Sequence, residues 1–150
     1  MDLEKFIRDV PNFPNEWIVF KDITPLLANS EAFTFAIDRL AEKLGDVDRI
    51  VWLDARGFIF ASVIAYKLKK PLVIIRKKGK LPYKCISEPY CLEYWTDSLD
   101  LHVDAINEWE KIAIVDVLLA TWWTVGASIK LIEELWGKVD SLNFVVMLGF

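Results

Sequence analysis

Apolar residues along the chain follow two periods. Arg49 to Leu53 (RIVWL), Pro71 to Ile75 (PLVII), Lys111 to Val115 (KIAIV) and Leu142 to Leu148 (LNFVVML) are short continuous apolar runs, the pattern of strands covered on both faces. Helical spacing returns between them. Ala32, Phe33, Ala36, Ile37, Leu40 and Leu44 recur at helical intervals from an expected N-cap at Ser30 to a stop at Gly45. Further helices are expected from about Phe58 to Leu68 and from about Thr124 to Trp136. Asp2 to Asp9 reads as a short amphipathic helix, and Tyr83 to Leu101 as an antiparallel hairpin or flap. Strands alternating with helices imply right-handed βαβ units, hence an α/β fold with a parallel sheet flanked by helices. No repeat or linker interrupts the pattern, so residues 1–150 read as one domain.

Composition narrows the class. Hydrophobic residues make up 54% and charged residues 27%, which excludes a disordered chain. No apolar run approaches the ~20 residues of a membrane span. The charged start MDLEKFIRDV lacks a signal-peptide stretch, so a cytoplasmic protein is expected. A net charge of −4 argues against nucleic acid as partner. Cys85 and Cys91 lack metal-ligand spacing and read as free thiols. His102 is the sole histidine, so no His-rich metal site is expected, and it reads as a surface or strand residue. One figure stands out: seven Trp accompany only six Gly, where globular chains average about 7% Gly.

In an open parallel sheet, ligands bind beyond the carboxyl ends of the strands. Three such ends are polar here: WLDARGF, IRKKGK and IVDVLLATWWT. In the third, an apolar strand reaches Asp116 and then a Thr-bounded turn opening a helix, whose free N–H groups suit a phosphate while the acid can face a ribose diol or a bound Mg²⁺. Standing alone, that pattern marks a helix cap more often than an anion site. RKKGK alone is usually a solvated turn, and Asp54 with Arg56 a structural pair. Three such features at successive strand ends favour an anion site.

These residues carry a resemblance. IVDVLLATWWT resembles the phosphoribosyl-diphosphate signature of type I phosphoribosyltransferases, hydrophobic-hydrophobic-Asp-Asp-x-x-x-Thr-Gly-Gly-Thr. More narrowly, DVPNFPNEWIVFKDITPLL, LDARGFIFA, IRKKGKLP, LEYWTDSLDLHVDAI and VDVLLATWWT resemble the adenine phosphoribosyltransferases in order and spacing. The resemblance implies a type I phosphoribosyltransferase-like sheet with a small N-terminal hood and a flap. It implies transfer of phosphoribose from phosphoribosyl diphosphate to adenine with Mg²⁺, giving AMP and diphosphate for purine salvage, in a homodimer. By the same resemblance Asp116 would face the ribose hydroxyls, and Ala120, Thr121, Trp122, Trp123 and Thr124 would wrap the 5′-phosphate. Arg56, Arg76, Lys77 and Lys80 would hold diphosphate. Val19, Phe20 and Lys21 would line the adenine pocket. Glu93 would handle a proton at the purine, with Tyr94 beside it on the flap.

The chain departs from that pattern. The second acid is Val117, and Trp122 and Trp123 replace both loop glycines. All seven tryptophans (Trp17, Trp52, Trp95, Trp109, Trp122, Trp123 and Trp136) stand where the resemblance implies glycine. It also implies a further segment beyond Phe150, with consequences for the last strand and for dimer contacts. Glycines at a phosphate loop admit close backbone approach, so reduced or lost activity is expected. The replacements read as deliberate redesign or as a systematic change at the level of the sequence. The alternative function is an engineered, non-enzymatic scaffold whose Trp-rich cleft binds a protein partner or an apolar ligand.

Overall fold

The computed structural model describes residues 1–54, 56–91, 96–119 and 122–147. The chain divides into two compact units, Met1–Arg39 and Leu40–Phe150.

The first unit begins with a single 3-10 turn, Leu3–Phe6, where Glu4 N–H donates to the Asp2 carboxylate at 3.2 Å. Strand β1 (Arg8–Pro11) then pairs antiparallel with β2 (Val19–Asp22), Asp9 facing Lys21 and Val10 facing Phe20. This corrects the helix expected over Asp2 to Asp9. A helix of that length is marginal in isolation; it shrinks to the 3-10 turn, and the ladder with β2 takes its last two residues, Arg8 and Asp9. The short helix α1 (Thr24–Ala28) carries Pro25 in its first turn, where the missing N–H costs nothing. Helix α2 (Ser30–Lys43) starts where the periodicity puts it. Its cap is Asn29 rather than Ser30: the Asn29 side-chain oxygen accepts from Ala32 N–H at 2.9 Å.

In the second unit β3 (Arg49–Leu53), α3 (Gly57–Leu68), β4 (Leu72–Lys77), β5 (Cys85–Cys91), β6 (Thr96–His102), β7 (Lys111–Leu119), α4 (Trp122–Glu134) and β8 (Lys138–Met147) follow in turn. They build one six-stranded sheet in the order β5-β6-β4-β3-β7-β8. Strands β4, β3, β7 and β8 are parallel, as the apolar runs imply. The sheet as a whole is mixed, with the expected antiparallel hairpin added to the parallel strands. The hairpin β5–β6 forms its edge, because β6 runs antiparallel to β4 through Arg76↔Asp100 and Lys77↔Leu99. Ile112, Ala113, Ile114 and Val115 are all buried, the physical reason for an uninterrupted apolar run in β7. Val125, Ser128, Leu131 and Ile132 form the inward stripe of α4. No helix among the described residues is long and apolar enough to cross a membrane.

The topology itself singles out one place. From β3 the chain passes to β4 on one side, then returns with β7 on the other side of β3. The carboxyl ends of β3 and β7 therefore flank the point where the winding reverses, where crevices open in such sheets. β7 also outruns β3. Their last paired residues are Trp52 and Val115, whereas β7 continues to Leu119 against β8 alone.

Candidate active site at the strand ends

Asp116 is the first residue of β7 beyond its pairing with β3, so its carboxyl lies at the reversal point. It does not end the strand, as the sequence pattern suggests, because β8 continues the ladder through Asp116↔Phe144 and Leu118↔Val146. Its Oδ1 accepts from Val117 N–H at 2.7 Å. Burial pushes the Asp116 carboxyl up to about 6, against smaller downward pulls from that N–H and from the Arg56 guanidinium. The group is therefore poised to gain a cationic or hydroxyl-bearing partner.

Asp54 follows directly on β3, and its side chain is only 6% exposed. Arg76 Nε and Lys80 Nζ each lie 3.4 Å from its Oδ2. One inward carboxylate thus holds two of the expected diphosphate ligands together. Arg76 Nε is itself buried and makes no hydrogen bond among the described residues, so the cluster has donor capacity unspent. Lys77 goes elsewhere. Successive side chains of a strand point to opposite faces, and its Nζ lies 3.1 Å from Asp97 Oδ2 on β6. Asp97 is held below the usual carboxylate range by Ser98 N–H and Lys77, and it accepts from the Tyr90 hydroxyl at 3.2 Å. Burial together with Asp97 pushes Tyr90 up to about 12.

Helix α4 opens at Trp122, two residues earlier than the spacing suggests, so Trp122, Trp123 and Thr124 form its first turn. The indoles are 64% and 60% exposed. They line a groove of about 470 Å³ with Pro89, Tyr90, Gly126 and Lys130, whose Nζ lies 2.7 Å from Glu88 Oε1. In the first unit Val19, Phe20 and Lys21 lie on β2. Phe20 meets Phe13 edge-on at 5.2 Å between centroids, and Lys21 Nζ lies 2.6 Å from Asp9 Oδ1. His102 sits at the end of β6, edge-on to Tyr83 at 6.0 Å. Cys85 is a free thiol, pushed up by burial and by Asp100. Ala120, Thr121, Glu93, Tyr94, Trp95 and the Cys91 side chain lie outside the described residues. No three His, Cys, Asp or Glu side chains cluster as metal ligands among the described residues.

Three of the tryptophans share a backbone property. Trp17, Trp109 and Trp136 have φ of 71°, 68° and 62°, the left-handed region that favours glycine. Trp109 N–H donates to the Trp136 carbonyl at 2.8 Å, and the two exposed rings lie 6.1 Å apart. Trp52 is buried in β3, and its indole Nε1 finds no hydrogen-bond partner among the described residues.

Comparison with known proteins decides the family. An adenine phosphoribosyltransferase of Thermosipho melanesiensis is 53% identical, covering 100% of this chain and 87% of that protein. That of Thermotoga maritima is 52% identical over 100% of this chain and 88% of its own length. The chain belongs to the adenine phosphoribosyltransferase family.

Solved structures agree. The crystal structure of adenine phosphoribosyltransferase from Thermoanaerobacter pseudethanolicus superimposes with a TM-score of 0.93 at 46% identity, covering 97% of this chain and 88% of that one. The enzyme from Saccharomyces cerevisiae, solved with an imino-altritol bisphosphate and adenine, gives 0.91 at 35% identity over 97% and 86%. Comparison with protein-family models finds no match. The family membership makes the mixed sheet a type I phosphoribosyltransferase fold. Sequence reasoning paired Asp54 with Arg56 and overlooked Asp54 as the anchor of Arg76 and Lys80. The charge-rich spacing LDAR…IRKKGK held that signal, but only the strand order brings its parts together.

Proposed function

We propose that the chain catalyses transfer of phosphoribose from phosphoribosyl diphosphate to adenine, giving AMP and diphosphate. The observation that carries this reading is Asp116, placed by β7 at the reversal point of a sheet shared along its length with adenine phosphoribosyltransferases. Asp116 receives the ribose diol, whose hydroxyls donate to the carboxylate. Arg76 and Lys80 leave Asp54 to hold diphosphate, and Arg56 adds charge beside Asp116. Thr124 and the first turn of α4 take the 5′-phosphate, with Ala120 and Thr121 before them. Phe20 stacks on adenine between Val19 and Lys21, and Glu93 with Tyr94 handles the proton at the purine. The transition state gathers positive charge on the ribose, so placed carboxylates and exclusion of water supply the rate.

Mg²⁺ fits this donor set as a companion of the substrate rather than a resident ion. The described residues offer no three-ligand cluster, so substrate phosphate oxygens would supply most of its coordination. The metal neutralises phosphate charge, while the chain's residues bind and orient. Helix α3 exposes Phe58, Ile59, Val63 and Tyr66, the last 86% exposed, although its opposite face is buried. A helix apolar all round expects cover, which supports the homodimer with this face as its interface.

The seven tryptophans stand at places where the fold takes glycine. Left-handed backbone at Trp17, Trp109 and Trp136 and the orphaned indole N–H of Trp52 support this reading. Trp122 and Trp123 crowd the first turn of α4 and reduce turnover. The test is AMP formation from adenine and phosphoribosyl diphosphate by the chain and by Trp122→Gly/Trp123→Gly. Activity that rises in the variant supports both statements. A variant no more active than the parent removes the crowding argument, and no AMP from either protein removes the reaction.

A further inference from the structure

We propose that Gly57 is a positioning residue for Asp116: its missing side chain lets the first turn of α3 close on β7 and hold the carboxylate in place. A Cβ built on Gly57 would meet Asp116 Oδ1 at 2.7 Å, Asp116 Cα at 3.2 Å and the Val115 carbonyl at 3.2 Å. Two of those three atoms are backbone and cannot swing aside. The third, Oδ1, is already engaged by Val117 N–H at 2.7 Å. A side chain on Gly57 therefore displaces either the helix or the carboxylate.

Conformational freedom does not explain this glycine. Gly57 is the first residue of α3 and has no left-handed φ, so any residue adopts its backbone. Helix propensity does not call for glycine at this position either, which leaves closeness to β7 as its reason. Gly126 in α4 provides the internal contrast, because a Cβ there meets nothing within 4 Å. Of two helical glycines, one faces open space and the other faces the site's acid.

The inference rests on the reading of Asp116 as the ribose acid, but its first readout does not. The experiment compares the parent, Gly57→Ala, Gly126→Ala, Asp116→Ala and Gly57→Ala/Asp116→Ala. The Asp116 carboxyl is followed by ¹³C NMR through a pH titration, and thermal stability is recorded alongside. Expected in Gly57→Ala is a midpoint moved down toward the ordinary carboxylate value, as the displaced group gains water, while Gly126→Ala leaves it in place. Gly57→Ala should cost less stability in the Asp116→Ala background, where the nearest clash is gone. An unmoved midpoint with an equal cost in both backgrounds overturns the proposal. If Gly57→Ala alone does not fold, folding of the double variant supports it, and failure of both overturns it. Steady-state kinetics then separate the two levels. A KM for phosphoribosyl diphosphate raised about tenfold, with the KM for adenine unchanged, joins Gly57 to the ribose site. A moved midpoint with unchanged kinetics keeps the positioning and removes the reading of Asp116.

Discussion

Trp17 isolates the energetic consequence of placing a side chain in left-handed backbone. Its φ is 71°, its side chain is 93% exposed, and its N–H donates to Asn12 Oδ1 at 3.1 Å. The indole buries almost nothing that its removal would expose. A non-glycine residue in this region costs roughly 1–2 kcal/mol, because Cβ crowds the following carbonyl. Glycine returns about 0.4–1 kcal/mol of that through the greater freedom of its unfolded chain. Trp17→Gly should therefore stabilise by about 0.5–1 kcal/mol, a Tm rise of a few degrees for a chain of this size. Trp17→Ala is the decisive control. The strain resides in Cβ and not in the indole, so alanine should gain little. Urea unfolding with calorimetry reads both values. An equal gain from alanine would place the effect in the exposed ring, and a loss from glycine would refute the strain argument. The pair Trp109 and Trp136 extends the test, since each single change also forfeits a ring contact worth about 0.5–1.5 kcal/mol. The second glycine introduced should then stabilise more than the first.

Three other outcomes follow from the geometry. Asp116 prefers its proton in the fold, with a pKa of about 6 against 3.8, so its stabilising contribution is complete below the unfolded value and is lost as pH rises through 6. Asp116→Asn should raise Tm at pH 8, by up to about 3 kcal/mol in stability, and not at pH 4; a gain at both pH values would assign the effect to packing. Lys80→Ala should weaken phosphoribosyl diphosphate binding by calorimetry more than Lys77→Ala, because Lys80 shares Asp54 with Arg76 whereas Lys77 is held by Asp97; equal losses would reject that division. The proposed homodimer should sediment as such and become a monomer in Val63→Asp/Tyr66→Lys; an unchanged sedimentation coefficient moves the interface off α3.

What could be read from the chain follows from what each signal measures. RIVWL, KIAIV and their companions were visible as strands because burial on both faces leaves no polar position to confuse the period. The start of α2 was visible to one residue, and the error between Ser30 and Asn29 arose because both side chains are competent caps. The β1–β2 hairpin was hidden, since Asp9 and Val10 pair with residues 12 and 10 positions away and carry no strong local alternation. The site was partly legible. Asp116 and the RKKGK run announced themselves as polar residues following apolar runs. Which cations share Asp54 depends on alternation along β4 and on strand order, and neither is written in local spacing. Gly57 was invisible for a further reason: a glycine required by a neighbour's closeness looks the same in sequence as one required by a turn.

That last distinction bears on the tryptophans. A binding face is selected by surface, and its members should share a side of the molecule. The described tryptophans share no such side: Trp52 is buried in β3, Trp122 and Trp123 open α4, and Trp109 with Trp136 sits in the turns before β7 and β8. Trp17, Trp109 and Trp136 instead share a left-handed backbone that glycine adopts without strain. Among the described residues only five non-glycine positions have positive φ, and tryptophan, the bulkiest residue, holds three of them. Selection for stability would remove such residues one by one, and selection for binding would not place one inside β3 with an unpartnered N–H. On the proposed glycine-to-tryptophan reading, the change follows the identity of the replaced residue and not its location, and so acts on the reading of the sequence. Protein isolated from the source cell should then weigh less than the written chain by seven Trp-to-Gly differences. An intact mass equal to that of the written chain would return the question to selection, and the strain at Trp17, Trp109 and Trp136 would need a function to maintain it.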